Sequence, residues 1–150
     1  MNSEQELSRE EYQALAEFRY QLRRFLRFSE ESARSVGIEP QQHQLLLMLK
    51  GLPERRTATV GELAERLQIQ HHSTVELIDR MVERKLLERM RDESDQRRVI
   101  VSLTPYGDEV LRKLSLLSHA ELRSTGPALV HTLMAIIEGE NSEGAGSELS

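Results

Sequence analysis

The chain has no cysteine and no tryptophan, and only three tyrosines and three phenylalanines stand among its 150 residues. Zero cysteine excludes a disulfide scaffold, a thiolate zinc finger, a cysteine nucleophile and a thiol-based redox sensor. No apolar run approaches the roughly 20 residues that a bilayer span needs. The opening MNSEQELSREEYQ also lacks the basic-then-apolar build of a signal peptide, so a soluble, cytoplasmic protein is expected. There is no Gly-rich phosphate loop, nucleophile elbow or paired-carboxylate motif, which argues against an enzyme. What remains is a chain that is 38% hydrophobic and 30% charged, apolar enough for one core but thin for a core that stands alone.

The apolar residues are ordered. Leu15, Phe18, Leu22, Phe25 and Leu26 recur at three- and four-residue steps and predict a long helix from Glu10 to Ser35, ended by Gly37 and Pro40. Glu39-Pro40 opens a second helix whose run Leu45 to Leu49 reads as buried core, stopped by Gly51 and Pro53. Thr59-Val60-Gly61-Glu62 has the spacing of a capping box and starts a helix to about Gln68. After a short interruption, His71 to Arg84 carries Val75, Ile78 and Val82 at helical spacing. Two helices joined so tightly form a helix-turn-helix.

Beyond Lys85 the period falls to two. Leu87 to Arg91 and Val99 to Leu103 read as strands around the polar turn Asp92 to Gln96. Thr104-Pro105 supplies a cap and a first-turn proline for a further helix to about Ser124. Gly126-Pro127 is expected to break it before a last helix through Leu129, Leu133, Ile136 and Ile137. The Gly, Ser and Glu-rich stretch 139–150 is expected to be disordered.

In order and spacing, Thr59 to Leu67, Leu77 to Arg89, Asp92 to Arg98 and Val101 to Gly107 together resemble the MarR (multiple antibiotic resistance regulator) family of winged helix-turn-helix transcription factors. The resemblance covers residues 10–138. It implies a mainly α fold with a small β-hairpin wing. Residues 40–104 would form the winged lobe, and 10–36 with 105–138 the dimerisation helices of an obligate homodimer. It also implies double-stranded operator DNA as partner, a pocket for a small aromatic ligand and no cofactor. The family commonly places a further basic residue between the two wing aspartates, where this chain has Ser94.

Base edges in the major groove are read by short or amide-bearing side chains near the start of a recognition helix. Gln70, His71, His72, Ser73 and Thr74 occupy that start, and Glu76 lies a turn on. Gln70 or Ser73 would alternatively just cap the helix. By resemblance Arg97 enters the minor groove with Asp95 orienting it through an ion pair, and Arg98 assists. A solvated charged turn is the plainer alternative for that segment. Arg84, Arg89 and Arg91 are candidate phosphate contacts, although Arg84 and Lys85 also suit a helix C-terminus.

Other readings compete. The carboxylates Glu76, Asp79 and Glu83 on the recognition helix favour a dimeric protein-interaction module, and His43, His119 and His131 allow a zinc-responsive sensor, although their spacing forms no ligand motif. The net charge of −5 argues against a non-specific nucleic-acid coat, but it is unevenly spread. Glu140, Glu143 and Glu148 have no basic neighbour in the tail, while Lys50 to Arg98 holds 11 Lys plus Arg against 10 Asp plus Glu. Affinity for DNA would then rest on a few placed arginines and on dimer geometry.

Overall fold

The computed structural model describes residues 5–53 and 57–145. The elements run α1 (Arg9–Ser35), α2 (Pro40–Lys50), β1 (Thr57–Thr59), α3 (Val60–Leu67), α4 (His71–Glu83), β2 (Leu87–Arg91), β3 (Val99–Leu103) and α5 (Pro105–Ala145). They divide into two compact units. Among the described residues, one holds 5–28 and 118–145, and the other lies within Ser29–Leu117.

The core lies in the second unit, where Ile38, Leu45, Leu49, Leu63, Ile78, Met81 and Leu114 are almost wholly shielded from solvent. The helix-turn-helix is built on it by a repeated device. After α1, α3 and α4 the chain turns through a left-handed residue, Gly37 (φ 76°), Gln68 (φ 56°) and Lys85 (φ 61°). In each case the next amide reaches back five residues: Ile38 N to Ala33 O at 2.9 Å, Ile69 N to Ala64 O at 3.1 Å and Leu86 N to Met81 O at 2.9 Å. These are Schellman caps, which satisfy terminal carbonyls and turn an apolar residue back onto the helix. Ile38 and Leu86 are buried accordingly, and Ile69 packs against the core cluster.

The sheet has three strands where sequence periodicity gives two. β2 and β3 form the expected antiparallel hairpin, and β1 adds to the other edge of β3 with Ala58 opposite Val101. Three residues are too few for an alternation to register. Thr104 then caps α5. Its Oγ1 accepts the Gly107 N–H at 3.0 Å while its hydroxyl donates to Lys85 O at 2.5 Å, tying the start of α5 to the end of α4.

Three expectations are corrected. Gly126-Pro127 does not break the last helix, because α5 runs through Pro127 to Ala145. Proline removes a single i→i−4 hydrogen bond, and the segments on either side stay helical. Residues 139–145, expected to be disordered, continue α5, while 146–150 lie outside the described residues. The box at Thr59 is half formed. Thr59 Oγ1 accepts the Glu62 N–H at 3.2 Å, but the Glu62 carboxylate takes the Thr59 hydroxyl at 3.1 Å, not its N–H.

Candidate nucleic-acid interface

Helix α4 presents two distinct faces. Thr74, Leu77, Ile78 and Met81 face the core, whereas His72, Glu76, Asp79 and Glu83 follow one another at three- and four-residue steps on the exposed side. Gln70 is the N-cap, yet its side chain makes no capping bond, and it is exposed. Its amide is thus available for outside partners. His71 and His72 are likewise exposed, and Ser73 is half-buried. Thr74 leaves the candidate set. It is fully buried, and its hydroxyl donates to Gln70 O at 2.9 Å, a bond that holds the first turn from within.

The tip of the hairpin is a hydrogen-bonded turn. Asp92 N donates to Arg98 O and Arg98 N to Asp95 O, both at 3.0 Å. Ser94, standing where a basic residue is usual, is exposed, and its hydroxyl donates to Asp92 Oδ1 at 2.7 Å. Asp95 acts differently from the expected ion pair. Its carboxylate accepts the backbone N–H of Arg97 at 3.1 Å, as in an Asx turn. The Arg97 side chain is exposed. Arg98 lies 3.8 Å from Glu62 of α3, an exposed pair of little energetic consequence.

The three arginines expected on phosphates all have partners inside the chain. Arg91 Nη1 donates to Gln96 O at 2.8 Å and braces the turn, Arg89 pairs with Asp79 of α4, and Arg84 Nη1 donates to Gln42 Oε1 at 3.4 Å. The Arg89–Asp79 pair cancels one carboxylate on the exposed face of α4 and links the helix to the wing. Sequence reasoning passed over Arg66, an exposed cation in the last turn of α3. Its signal was its place on the first helix of the pair, which crosses the DNA backbone in such motifs.

The order of a helix-turn-helix, a strand-edged hairpin and long terminal helices is matched in known proteins. Residues 36–98 match the model of the MarR family. Over that stretch the chain is similar to the MarR family. It is 31% identical over 90 residues to the HTH-type transcriptional regulator YsmB of Bacillus subtilis, a match covering 60% of this chain and 62% of that relative, so it spans less than two thirds of the relative's length. The fold is similar to that of AbsC, a MarR family transcriptional regulator from Streptomyces coelicolor, with a TM-score of 0.72 at 21% identity over 96% of this chain and 99% of that one. It is also similar to a mutant MarR from E. coli complexed with operator DNA, with a TM-score of 0.63 at 22% identity over 81% and 88% of the two chains.

In the terminal unit, much of the apolar stripe is open. Leu15 (41% exposed), Leu22 (37%), Leu133 (41%) and Ile137 (48%) contrast with the half-buried Phe18, Leu129 and Ile136. A hollow of about 560 Å³ sits there, with Leu7, Ala14, Leu15, Ala135 and Ile136 in its lining. Among the described residues no three His, Cys, Asp or Glu side chains gather as a metal site. His43 lies in one unit, and His119 and His131 lie in the other. His43 is a buried core residue whose Nδ1 has no hydrogen-bond partner, and burial pushes its pKa down from 6.5. No described helix is long and apolar enough to cross a membrane.

Proposed function

We propose that this chain is a homodimeric, sequence-specific DNA-binding regulator of transcription, acting in the cytoplasm as a ligand-responsive repressor on a pseudo-palindromic operator. One observation carries the reading. The start of α4 offers Gln70, His71, His72 and Glu76 outward from a rigidly capped frame that also holds an exposed Arg97 on the wing. Gln and His donors suit purine edges, and Glu76 suits a cytosine amino group. Arg97 suits the narrow minor groove, with its concentrated negative potential. Ser73, Arg98 and Arg66 complete the proposed contact surface.

The open apolar face of the terminal unit supports the homodimer, because an exposed patch of this kind is usually covered by a partner. A two-fold dimer fits half-sites about 10 bp apart or a multiple of that. A small aromatic acid would act as inducer by binding more tightly to a conformation that does not fit this spacing.

The test is selection of duplex DNA by the purified protein, repeated with aromatic acids. Enrichment of a pseudo-palindrome, lost on adding one of the acids, is the expected result. Selection of no motif would instead favour the acidic face of Glu76 and Glu83 as a surface for binding protein.

A further inference from the structure

The exposed half of α4 reads the outside world only if the helix is held at a fixed roll about its axis. Three arrangements in the second unit bear on that roll. Asp79 is tied to Arg89 of β2 on the wing side. On the other flank, Arg80 and Arg84, one turn apart and thus neighbours on the helix surface, both reach the first turn of α2. Arg80 Nη2 lies 3.1 Å from Glu39 Oε2, and Arg84 Nη1 donates to Gln42 Oε1 at 3.4 Å.

Gln42 is 1% exposed, and its Oε1 also accepts the Glu39 backbone N–H at 3.1 Å. A single buried oxygen therefore serves the start of α2 and the end of α4 together. Removing this buried acceptor leaves the Glu39 N–H without its partner at the start of α2, and the exposed Arg84 loses its one tie to that turn. The turn that delivers the chain into α2 meets the same arginine, because a Cβ on Gly37 would lie 3.6 Å from Arg84 Nη2. Gly37 is also the left-handed residue that ends α1.

We propose that Glu39 and Gln42 are positioning residues for DNA recognition. They act through Arg80 and Arg84 to set the roll of α4, so that the α1–α2 corner and the reading helix move as one piece. Arg84 then serves as a strut and touches no phosphate. The inference rests on the DNA-binding reading above.

Titration of the full chain against its selected duplex over a range of salt tests it. Gln42→Met removes the acceptor at similar volume, and Arg84→Ala removes the donor. Each is expected to weaken binding about tenfold, the loss of one charge-assisted bond. The double variant should be no weaker than Arg84→Ala alone. The slope of log affinity against log salt should stay at the wild-type value, and Gln42→Glu, which keeps the acceptor, should restore affinity.

A slope smaller by about 0.9 in Arg84→Ala would place that arginine on a phosphate and overturn the proposal, as would additive losses or unchanged affinity. If Gln42→Met fails to fold, the exposed pair decides: Glu39→Arg or Arg80→Glu alone should weaken binding, and the two together should recover it. No recovery rejects the clamp. Hydrogen exchange separates this from failure of the DNA reading. Gln42→Met should speed exchange at amides 81–86, at the end of α4 and just beyond it, without DNA. Unchanged exchange rejects the clamp, whereas a wild type that selects no duplex rejects the DNA reading.

Discussion

The Asp95 carboxylate accepts the backbone N–H of Arg97 at 3.1 Å, so the acid shapes the turn that carries the arginine and leaves the guanidinium unneutralised. Asp95 and Arg97 then have separable roles. Arg97→Ala should weaken operator binding by about 1–3 kcal/mol and lower the salt slope by about 1 if the guanidinium lies on phosphate-rich minor groove. Asp95→Asn keeps an oxygen acceptor for the N–H and should leave both nearly unchanged. Asp95→Ala should weaken binding with the slope intact. Titrations at several salt concentrations check all three, and an Asn variant as damaged as Arg97→Ala would assign Asp95 an electrostatic role.

Thr74 and His72 sit two residues apart in α4 and should respond oppositely to substitution. Thr74 is fully buried, with its hydroxyl on Gln70 O at 2.9 Å. Thr74→Val is expected to change stability by about 1 kcal/mol and leave the selected base pattern as it was. His72→Ala should do the reverse, leaving the melting temperature unaltered and relaxing preference at one position of each half-site. Thermal melts and DNA selection on the two variants check this.

Much of the frame was legible because helix signals are local. The α1 stripe, Pro40, the cap at Thr59 and the proline after Thr104 each act within a turn of chain. Less legible was whatever depended on contacts distant in sequence. β1 exists because Ala58 meets Val101. Arg84, Arg89 and Arg91 look like free cations until Gln42, Asp79 and the Gln96 carbonyl are brought to them. Thr74 looks like a surface threonine until the packing of α4 turns it inward. Pro127 misled for another reason, since one lost bond does not end a helix whose flanks remain helical.

His43 gives stability a pH dependence of predictable sign. Burial holds its folded pKa below 6.5, and its Nδ1 has no partner to favour protonation. Below pH 6.5 the unfolded chain takes up a proton that the folded chain declines, so stability falls as pH drops toward the folded pKa. Above 6.5 this histidine contributes no slope. The fall should not exceed about 1.4 kcal/mol per pH unit, the limit for one proton. Urea unfolding at pH 7.5 and 5.5 should show a smaller difference for His43→Leu than for the wild type, and equal differences would remove His43 as the source.

Lys85 adopts φ 61°, the left-handed region that glycine enters without a Cβ clash. Lys85→Gly should therefore stabilise the chain by about 0.5–1 kcal/mol, provided relief of strain exceeds the greater freedom of the unfolded chain. The same change removes a positive charge near the interface. If Lys85 only terminates α4, operator affinity and salt slope stay as in the wild type while the melting temperature rises. A slope lower by about 0.9 would make it a phosphate contact.

The terminal unit offers the most direct check on assembly. Leu133 and Ile137 are one turn apart on α5 and 41% and 48% exposed, on the same helix as the half-buried Leu129 and Ile136. Full burial of an exposed Leu or Ile contributes about 1.5–3 kcal/mol, so covering the part still open contributes roughly half of that, and each substitution acts twice in a two-fold dimer. On the proposed homodimer, Leu133→Glu with Ile137→Glu should give a monomer by light scattering where the wild type is expected to give a dimer. The lobe core lies within Ser29–Leu117, so its amide exchange should be retained. Affinity for a full operator should fall steeply, while binding to an isolated half-site changes little, because only the dimer gains from engaging both halves. A double variant that remains dimeric would place the interface elsewhere on the chain.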